Sequence, residues 1–265
     1  MRVNSAKKLL KEGKPVVGTW LTLGSISASR YLARMGFDYL TVDIEHNLMG
    51  METATHMFAS IADAKCPALA RVPAGKHDHI KRVLDNGAHG VVVPMVNTRQ
   101  EAEEAVAACL YPPKGNRSVG GSAHALNFDA TATEYYQKAN DEILIVLQCE
   151  HLTAVKNFAD VYSVPGIDAI FVGPNDLAAS MRAADGTPPA ADVFKETLQA
   201  ILDGCRKLKI PAGIHTFSPE EAKMRIAEGW QFIAINSELK FMVDAAKRSL
   251  DAITGKSSGG DAVKY

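Results

Sequence analysis

Residues 39–47 read YLTVDIEHN. The stretch begins as a buried β-strand, with aromatic and β-branched side chains, and ends in three ionisable groups, Asp43, Glu45 and His46. Lone charges are costly to bury, so a strand that finishes this way either reaches solvent or serves a site. Outward from it, the same kind of run recurs along the chain. Short β-rich segments lie at 16–22, 39–45, 67–72, 90–95, 142–150, 169–174, 211–216 and 232–238. Several are almost continuously apolar, as parallel strands covered on both faces should be.

Helical patterns separate these runs. SISASRYLARMG opens on a serine cap and stops at Gly36; HDHIKRVLDNG stops at Gly87. SPEEAKMRIAEG carries Ser218 as cap, Pro219 at the first helical position and Glu221 three residues after the cap. TRQEAEEAVAACL and DVFKETLQAILDGCRKL are amphipathic at helical spacing. A β–α alternation repeated eight times predicts an α/β fold, the (β/α)8 TIM barrel. A doubly wound open sheet is the second reading, but no G-x-G-x-x-G follows the first strand. Two connections are long, 96–141 and 175–210. Residues 1–255 are read as one barrel domain with an N-terminal helix, and 256–265 as a flexible tail.

Composition narrows the partners. With 265 residues and 47% hydrophobic content the chain can bury one large core. A net charge of −1 offers nothing to nucleic acid or an acidic membrane. Cys66, Cys109, Cys149 and Cys205 are scattered without a C-x-x-C pair, which fits a reducing cytoplasm better than a disulfide framework or a zinc knuckle. MRVNSAKKLLKEGKP reads as an amphipathic helix, not a signal peptide, and no apolar run is long enough to span a bilayer. The expectation is a soluble cytoplasmic protein with a small-molecule substrate.

A barrel carries its chemistry at the C-terminal ends of its strands. There the sequence places Asp43, Glu45 and His46 after strand two and Arg71 after strand three. Gln148 and Glu150 close strand five, Asp176 follows strand six, His215 and Thr216 close strand seven, and Asn236 closes strand eight. Glu150 and Asp176 sit on neighbouring strand ends with no Cys or His beside them, which suits a hard cation such as Mg²⁺ or Mn²⁺; two rim acids in salt bridges would look the same. Arg71, alone in an apolar strand, reads as an oxyanion stabiliser or as half of a structural ion pair. His46 reads as a general base or as a hydrogen-bonded rim residue. None of the eighteen lysines falls inside a strand, which argues against Schiff-base chemistry. The loops TFSPEE and NSELK lack the glycines that cradle a phosphate; GNRSVGG could form an anion-binding nest or a flexible loop. Metal, arginine and base together suit a 2-oxo acid whose enolate is stabilised by metal and Arg71.

The segments GTWL, GFDYLTVDIEHN, RVP, VVVPMV, YPPKGNRSVGG, QCE and FVGPNDLAASM, in this order and spacing, resemble the HpcH/HpaI aldolase family from about Gly18 to Asn236. The resemblance implies a metal-dependent class II pyruvate aldolase on a (β/α)8 barrel, commonly hexameric, acting in aromatic or sugar-acid catabolism. It would cleave or form 4-hydroxy-2-oxo acids through a metal-bound pyruvate enolate, with Mg²⁺, Mn²⁺ or Co²⁺. Glu150 and Asp176 become the metal ligands. Gln148 and the segment Gly173, Pro174, Asn175 and Asp176 would contact substrate, the backbone at Asn175 and Asp176 holding the pyruvate carboxylate. Arg71 becomes the enolate stabiliser, His46 the base for the C4 hydroxyl, Asp43 the residue that orients metal-bound water, and Asp85 the aspartate that raises the histidine's basicity. Asp85 precedes strand four, so a neighbouring subunit or an irregular helix would have to bring it in. SAHALNFD replaces the arginine-rich segment common in relatives, GPND replaces GPAD, and DIEH replaces DGEH; the first of these bears on the aldehyde partner. Other readings of the same site are an oxaloacetate decarboxylase or a macrophomate-synthase-like enzyme, a CoA-ester lyase, and a barrel that only binds a 2-oxo acid.

Overall fold

Each strand is followed by at least one helix, so consecutive strands are brought back in parallel, and here eight of them close on themselves. The computed structural model describes residues 1–47 and 49–255; the expected tail at 256–265 lies outside the described residues. The strands are β1 (Val16–Leu21), β2 (Tyr39–Asp43), β3 (Ala68–Arg71), β4 (Gly90–Val93), β5 (Leu144–Gln148), β6 (Ala169–Val172), β7 (Ala212–Thr216) and β8 (Phe232–Ser237). They form a closed barrel in chain order, with β1 paired to β8.

Side chains alternate along each strand, and the two sets pack differently. Val16, Trp20, Tyr39, Leu69, Val92, Val146, Phe171 and Phe232 point inward and fill the barrel. The alternate set, including Leu40, Val42, Val91, Ile145 and Ile214, packs outward under the helices. The N-terminal helix Ser5–Lys11 closes the bottom of the barrel, where Ala6 and Leu10 join the interior cluster. Lys7 is buried there, 2.9 Å from Asp168 Oδ2, and donates to the Ile143 carbonyl at 2.6 Å. The amphipathic start of the chain is thus a plug rather than a loose appendage.

The expected caps Ser25 and Ser218 each accept from a backbone N–H three residues on, and Thr98, not singled out from the sequence, does the same and completes a capping box with Glu101. Strand ends fall earlier than the apolar runs suggest. β2 stops at Asp43, β5 at Gln148 and β6 at Val172. Asp43 Oδ1 accepts the Glu45 N–H at 3.1 Å and turns the chain out of the ladder. Pro174, read as the end of a strand, instead opens the helix Pro174–Ser180, where a missing N–H costs nothing. The long connections hold further helices, Arg99–Cys109, Ala123–Asn127 and Ala132–Glu142 in the first and Ala191–Leu208 in the second.

Candidate active site

A period of two builds the site. On β3 the inward Leu69 is followed by Arg71, on β5 Val146 by Gln148, and on β6 Phe171 by Gly173, so each polar or glycine position sits one layer above an apolar floor. Above Trp20 and Phe171 opens a cavity of about 200 Å³ at the C-terminal ends of the strands. His46, Arg71, Gln148, His215 and the Gly173–Asp176 segment complete its wall. Of the expected site residues, His46, Arg71, Gln148 and the Gly173–Asp176 segment line this cavity, while Asp43, Asp85 and Glu150 do not.

Asp43 and Arg71 are direct partners in the β2–β3 register. Arg71 Nε and Nη2 donate to Asp43 Oδ1 and Oδ2 at 2.8 and 2.7 Å, a bidentate pair with both side chains buried. Arg71 also stacks over the Trp20 ring, 4.5 Å from its centroid. The ion-pair reading of Arg71 is the one the structure displays, and the guanidinium so fixed also lines the cavity. Asp43, expected to orient metal-bound water, is held by Arg71, by the Glu45 N–H and by the Asn47 side chain.

The carboxylate pair is organised around Gly173. A Cβ on Gly173 would lie 2.6 Å from Glu150 Oε2 and 3.6 Å from both Asp176 Oδ2 and Gln148 Nε2, so the two acids share the space over its α-carbon. Glu150 is buried; its Oε1 accepts the Met95 N–H at 2.8 Å and its Oε2 accepts from Gln148 Nε2 at 2.5 Å. Met95 holds that N–H in place with a φ of 52°, an unusual conformation for a side chain of its type and a mark of local strain at the site. Burial lifts the Glu150 carboxyl to about 7, and the charges of Asp176 and Glu45 push the same way. The Gln148 Oε1 is buried without a hydrogen-bond partner. Among the described residues no three His, Cys, Asp or Glu side chains gather as a full metal cage. Glu150 and Asp176 nevertheless fit a hard divalent cation: two like-charged oxygens meet over a glycine, and water and substrate can supply the other ligands.

His46 lies in the turn after β2 with 62% of its side chain exposed, and its Nε2 is 3.6 Å from Glu45 Oε2. His215 Nδ1 accepts from the Trp20 indole N–H at 2.9 Å, which leaves the ring proton on Nε2. Burial, followed by the Arg71 charge, drops its pKa to about 3, so this wall residue is neutral. Trp20 is a site residue that sequence reasoning passed over. Its signal was present, because Trp20 is four residues after the inward-facing Val16, and alternation points it inward at the C-terminal end of β1.

Asp85 is placed elsewhere within the chain. It ends the helix His77–Asp85, beneath the barrel, and its Oδ1 accepts from Arg117 Nη2 and Nε at 2.7 and 3.1 Å. Arg117, from GNRSVGG, is fully buried and stacks over Tyr111, so it anchors that loop instead of facing solvent. The SAHALNFD helix lies beside them, where Asn127 Nδ2 donates to Gly87 O at 2.9 Å. The chain's own cavity receives neither segment.

The family pattern of HpcH/HpaI aldolase/citrate lyase matches residues 17–245. The 2-dehydro-3,6-dideoxy-6-sulfogluconate aldolase of Pseudomonas putida is 34% identical over 250 residues, 94% of this chain and 97% of that protein. The 4-hydroxy-2-oxo-heptane-1,7-dioate aldolase of Shigella sonnei (strain Ss046) is 35% identical over 244 residues, 92% of each chain. Among solved structures, an HpcH/HpaI aldolase/citrate lyase family protein from Burkholderia cenocepacia J2315 superposes with a TM-score of 0.86 at 29% identity, covering 95% of this chain and 99% of that one. With a barrel whose polar rim converges on one cavity and a pattern match across most of its length, the chain belongs to the HpcH/HpaI aldolase/citrate lyase family of carbon–carbon lyases.

Proposed function

We propose that this protein is a divalent-metal-dependent class II aldolase that cleaves and forms 4-hydroxy-2-oxo acids, with pyruvate and an aldehyde as the other side of the reaction. The observation that carries the reading is the Glu150–Asp176 pair over Gly173, opposite a guanidinium fixed by Asp43. A divalent cation on those carboxylates, Mg²⁺, Mn²⁺ or Co²⁺, supplies the Lewis acidity that turns the keto group of a 2-oxo acid into an electron sink. Arg71 donates to the oxygen that gains charge as the enolate develops, and its anchoring to Asp43 means that it need not reorganise. His46 takes the proton from the C4 hydroxyl in the cleavage direction and returns it in synthesis. Gln148 contacts the substrate with its amide, and the Gly173–Asp176 segment receives the carboxylate on the backbone N–H groups of Asn175 and Asp176. Asp43 acts through Arg71. Asp85 can serve His46 only from a second copy of the chain.

A homo-oligomer is part of the proposal. The helix Glu238–Thr254 buries only Glu238 among its seventeen residues, and Met242, Leu250 and Ile253 are exposed on one face. A second copy covers that face, in the hexamer that the family resemblance implies. No helix among the described residues is long and apolar enough to cross a membrane, and the four cysteines are buried and unpaired, which supports a cytoplasmic site of action on small molecules.

The test is pyruvate release from 4-hydroxy-2-oxo acids of different chain length, with each metal and with EDTA. Metal-dependent release, stopped by EDTA, is the expected result. Rapid oxaloacetate decarboxylation without any release would transfer the same enolate site to the decarboxylase or synthase reading.

A further inference from the structure

One polar side chain of the cavity wall has no part in the reaction as proposed. His215, near the end of β7, is 4% exposed and lines the cavity together with Trp20 and Phe171. Its Nδ1 accepts the Trp20 indole N–H at 2.9 Å, so the proton of the neutral ring sits on Nε2. With Nδ1 turned to Trp20, Nε2–H is the polar group His215 has to offer the cavity, and it is a donor. We infer that His215 is a specificity-determining residue that donates to a hydroxyl on the third carbon of the 2-oxo acid. The preferred donor substrate is then a 3-hydroxy-2-oxo acid, of which hydroxypyruvate is the smallest, and the acid cleaved is a 3,4-dihydroxy-2-oxo acid.

This assignment rests on the aldolase reading above and names its donor. In that reading the keto oxygen faces Arg71 and the cation held by Glu150 and Asp176, and the carboxylate faces the backbone of Asn175 and Asp176. The wall left for the third carbon is formed by Trp20, Phe171 and His215. A methyl group there needs only the two aromatic rings, and against it a buried imidazole N–H loses water without gaining an acceptor. A hydroxyl oxygen supplies that acceptor. In the barrel order β1 lies between β2 and β7, so His46 and His215 stand on opposite sides of Trp20. A group held at His215 therefore leaves the His46 side to the aldehyde.

The ring is held in this form. Burial first and the Arg71 charge second lower its pKa to about 3, which suits a fixed donor and not a base for the C3 proton. Trp20 is itself clamped, 4.5 Å below the Arg71 guanidinium and edge-on to Phe171 at 5.7 Å, and Phe217 packs edge-on to His215 at 4.9 Å. The neighbouring strand adds a second polar group. One extra residue on β8 falls between the register pairs Gly18–Ala234 and Trp20–Ser237, and Asn236 in that bulge takes a φ of 48°. Asn236 is 7% exposed, and its Oδ1 finds no hydrogen-bond partner among the described residues. It stands two residues beyond Ala234, the register partner of His215, so a buried acceptor sits at the same strand ends as the donor. A hydroxyl, which accepts and donates, matches such a pair.

The reaction balances without a further reactant. In cleavage the C4 hydroxyl gives up its proton, the C3–C4 bond breaks, and its electron pair forms the enolate, which keeps the C3 hydroxyl. One proton returns to C3, giving hydroxypyruvate, and C4 leaves as the aldehyde.

The experiment uses the full-length, metal-loaded protein as wild type, His215→Leu, His215→Gln and Trp20→Phe. Hydroxypyruvate and pyruvate are compared by two readouts that need no aldehyde: exchange of the C3 protons with deuterium, corrected for the uncatalysed rate, and affinity by calorimetry. In wild type both ratios favour hydroxypyruvate by about tenfold or more, the worth of one buried hydrogen bond. His215→Leu lowers both ratios by about tenfold or more, with the loss in the KM for hydroxypyruvate. His215→Gln, which keeps an N–H donor, recovers part of the preference. Trp20→Phe releases Nδ1 and falls between wild type and His215→Leu. A structural role alone would weaken the two donors alike and leave the ratios unchanged, and that result overturns the inference, as does a wild type that prefers pyruvate. If His215→Leu does not fold, the ratios in His215→Gln and Trp20→Phe decide the matter in the same way. Failure of the aldolase reading looks different: wild type then exchanges the protons of neither donor and releases no pyruvate, while the affinity ratio still judges His215.

Discussion

Asp43 and Arg71 face each other across β2 and β3 at the same register level and close two hydrogen bonds with both side chains buried. Removing Asp43 takes the bidentate partner from a buried guanidinium and leaves Glu45, 3.3 Å from Arg71 Nε, as a weaker counter-charge. Asp43→Ala is expected to cost about 3–5 kcal/mol of stability, read from urea unfolding. The same variant should also lose most enolisation, since Arg71 is then free to swing away from the oxygen it serves. Full stability with full proton exchange would show that Arg71 needs no anchor.

The roles proposed for Arg71 and His46 fall at different stages, and two assays separate them. Arg71→Ala should abolish exchange of the pyruvate methyl protons as well as aldol cleavage. His46→Ala should slow cleavage by about 10²–10⁴, the usual contribution of general base catalysis, and leave exchange far less affected. Equal losses of both activities in His46→Ala would remove His46 from the C4 proton transfer.

Gly173→Ala puts a methyl group where the carboxylates meet. The new Cβ would lie 2.6 Å from Glu150 Oε2, the far end of a side chain, so the carboxylate moves while the backbone does not. Manganese affinity, measured by calorimetry, should fall by at least about tenfold, the range expected when the support of a metal ligand is disturbed. The unfolding midpoint should hardly change. Unchanged affinity would place the metal away from Gly173.

Acid stability should depend on His89, beneath the barrel. Its Nδ1 accepts the Ala68 N–H at 3.3 Å and its Nε2 lies 3.0 Å from the Asn127 carbonyl. Burial, with the Arg2 charge beside it, lowers its pKa to about 3. The folded state therefore favours the neutral ring, and the unfolded chain takes up the proton first as pH falls. Stability is complete above about pH 6.5 and is lost between there and about pH 3, at up to about 1.4 kcal/mol per pH unit for each such group. His215 adds a second contribution of the same sign. Urea midpoints measured from pH 7 to pH 4 should fall in wild type and fall less steeply in His89→Leu. Parallel slopes would mean that His89 does not carry the effect.

Much of this architecture could be read without coordinates. Eight apolar runs separated by capped amphipathic segments left few alternatives to a barrel, because each run has the length of a strand and each gap can hold a helix. Strand-end position then named Arg71, Gln148, Glu150 and Asp176 before any distance was known. The limits of the runs were harder to read, since a proline or an aspartate that ends a ladder can follow an apolar stretch without a break in hydrophobicity, as at Pro174 and Asp43.

What the sequence by itself determined is the set of groups that share a rim, because alternation and strand order follow from backbone geometry alone. What only the tertiary structure decided is which of them touch. Closure of the barrel brings Trp20 to His215 from opposite ends of the chain, and the β2–β3 register joins Asp43 to Arg71. The long connection after β4 carries Arg117 down to Asp85, at the end of the barrel away from the cavity. Contacts of this kind depend on how neighbouring strands and returning helices are packed. That packing is settled by close fit of side chains distant in sequence, and no local pattern records it.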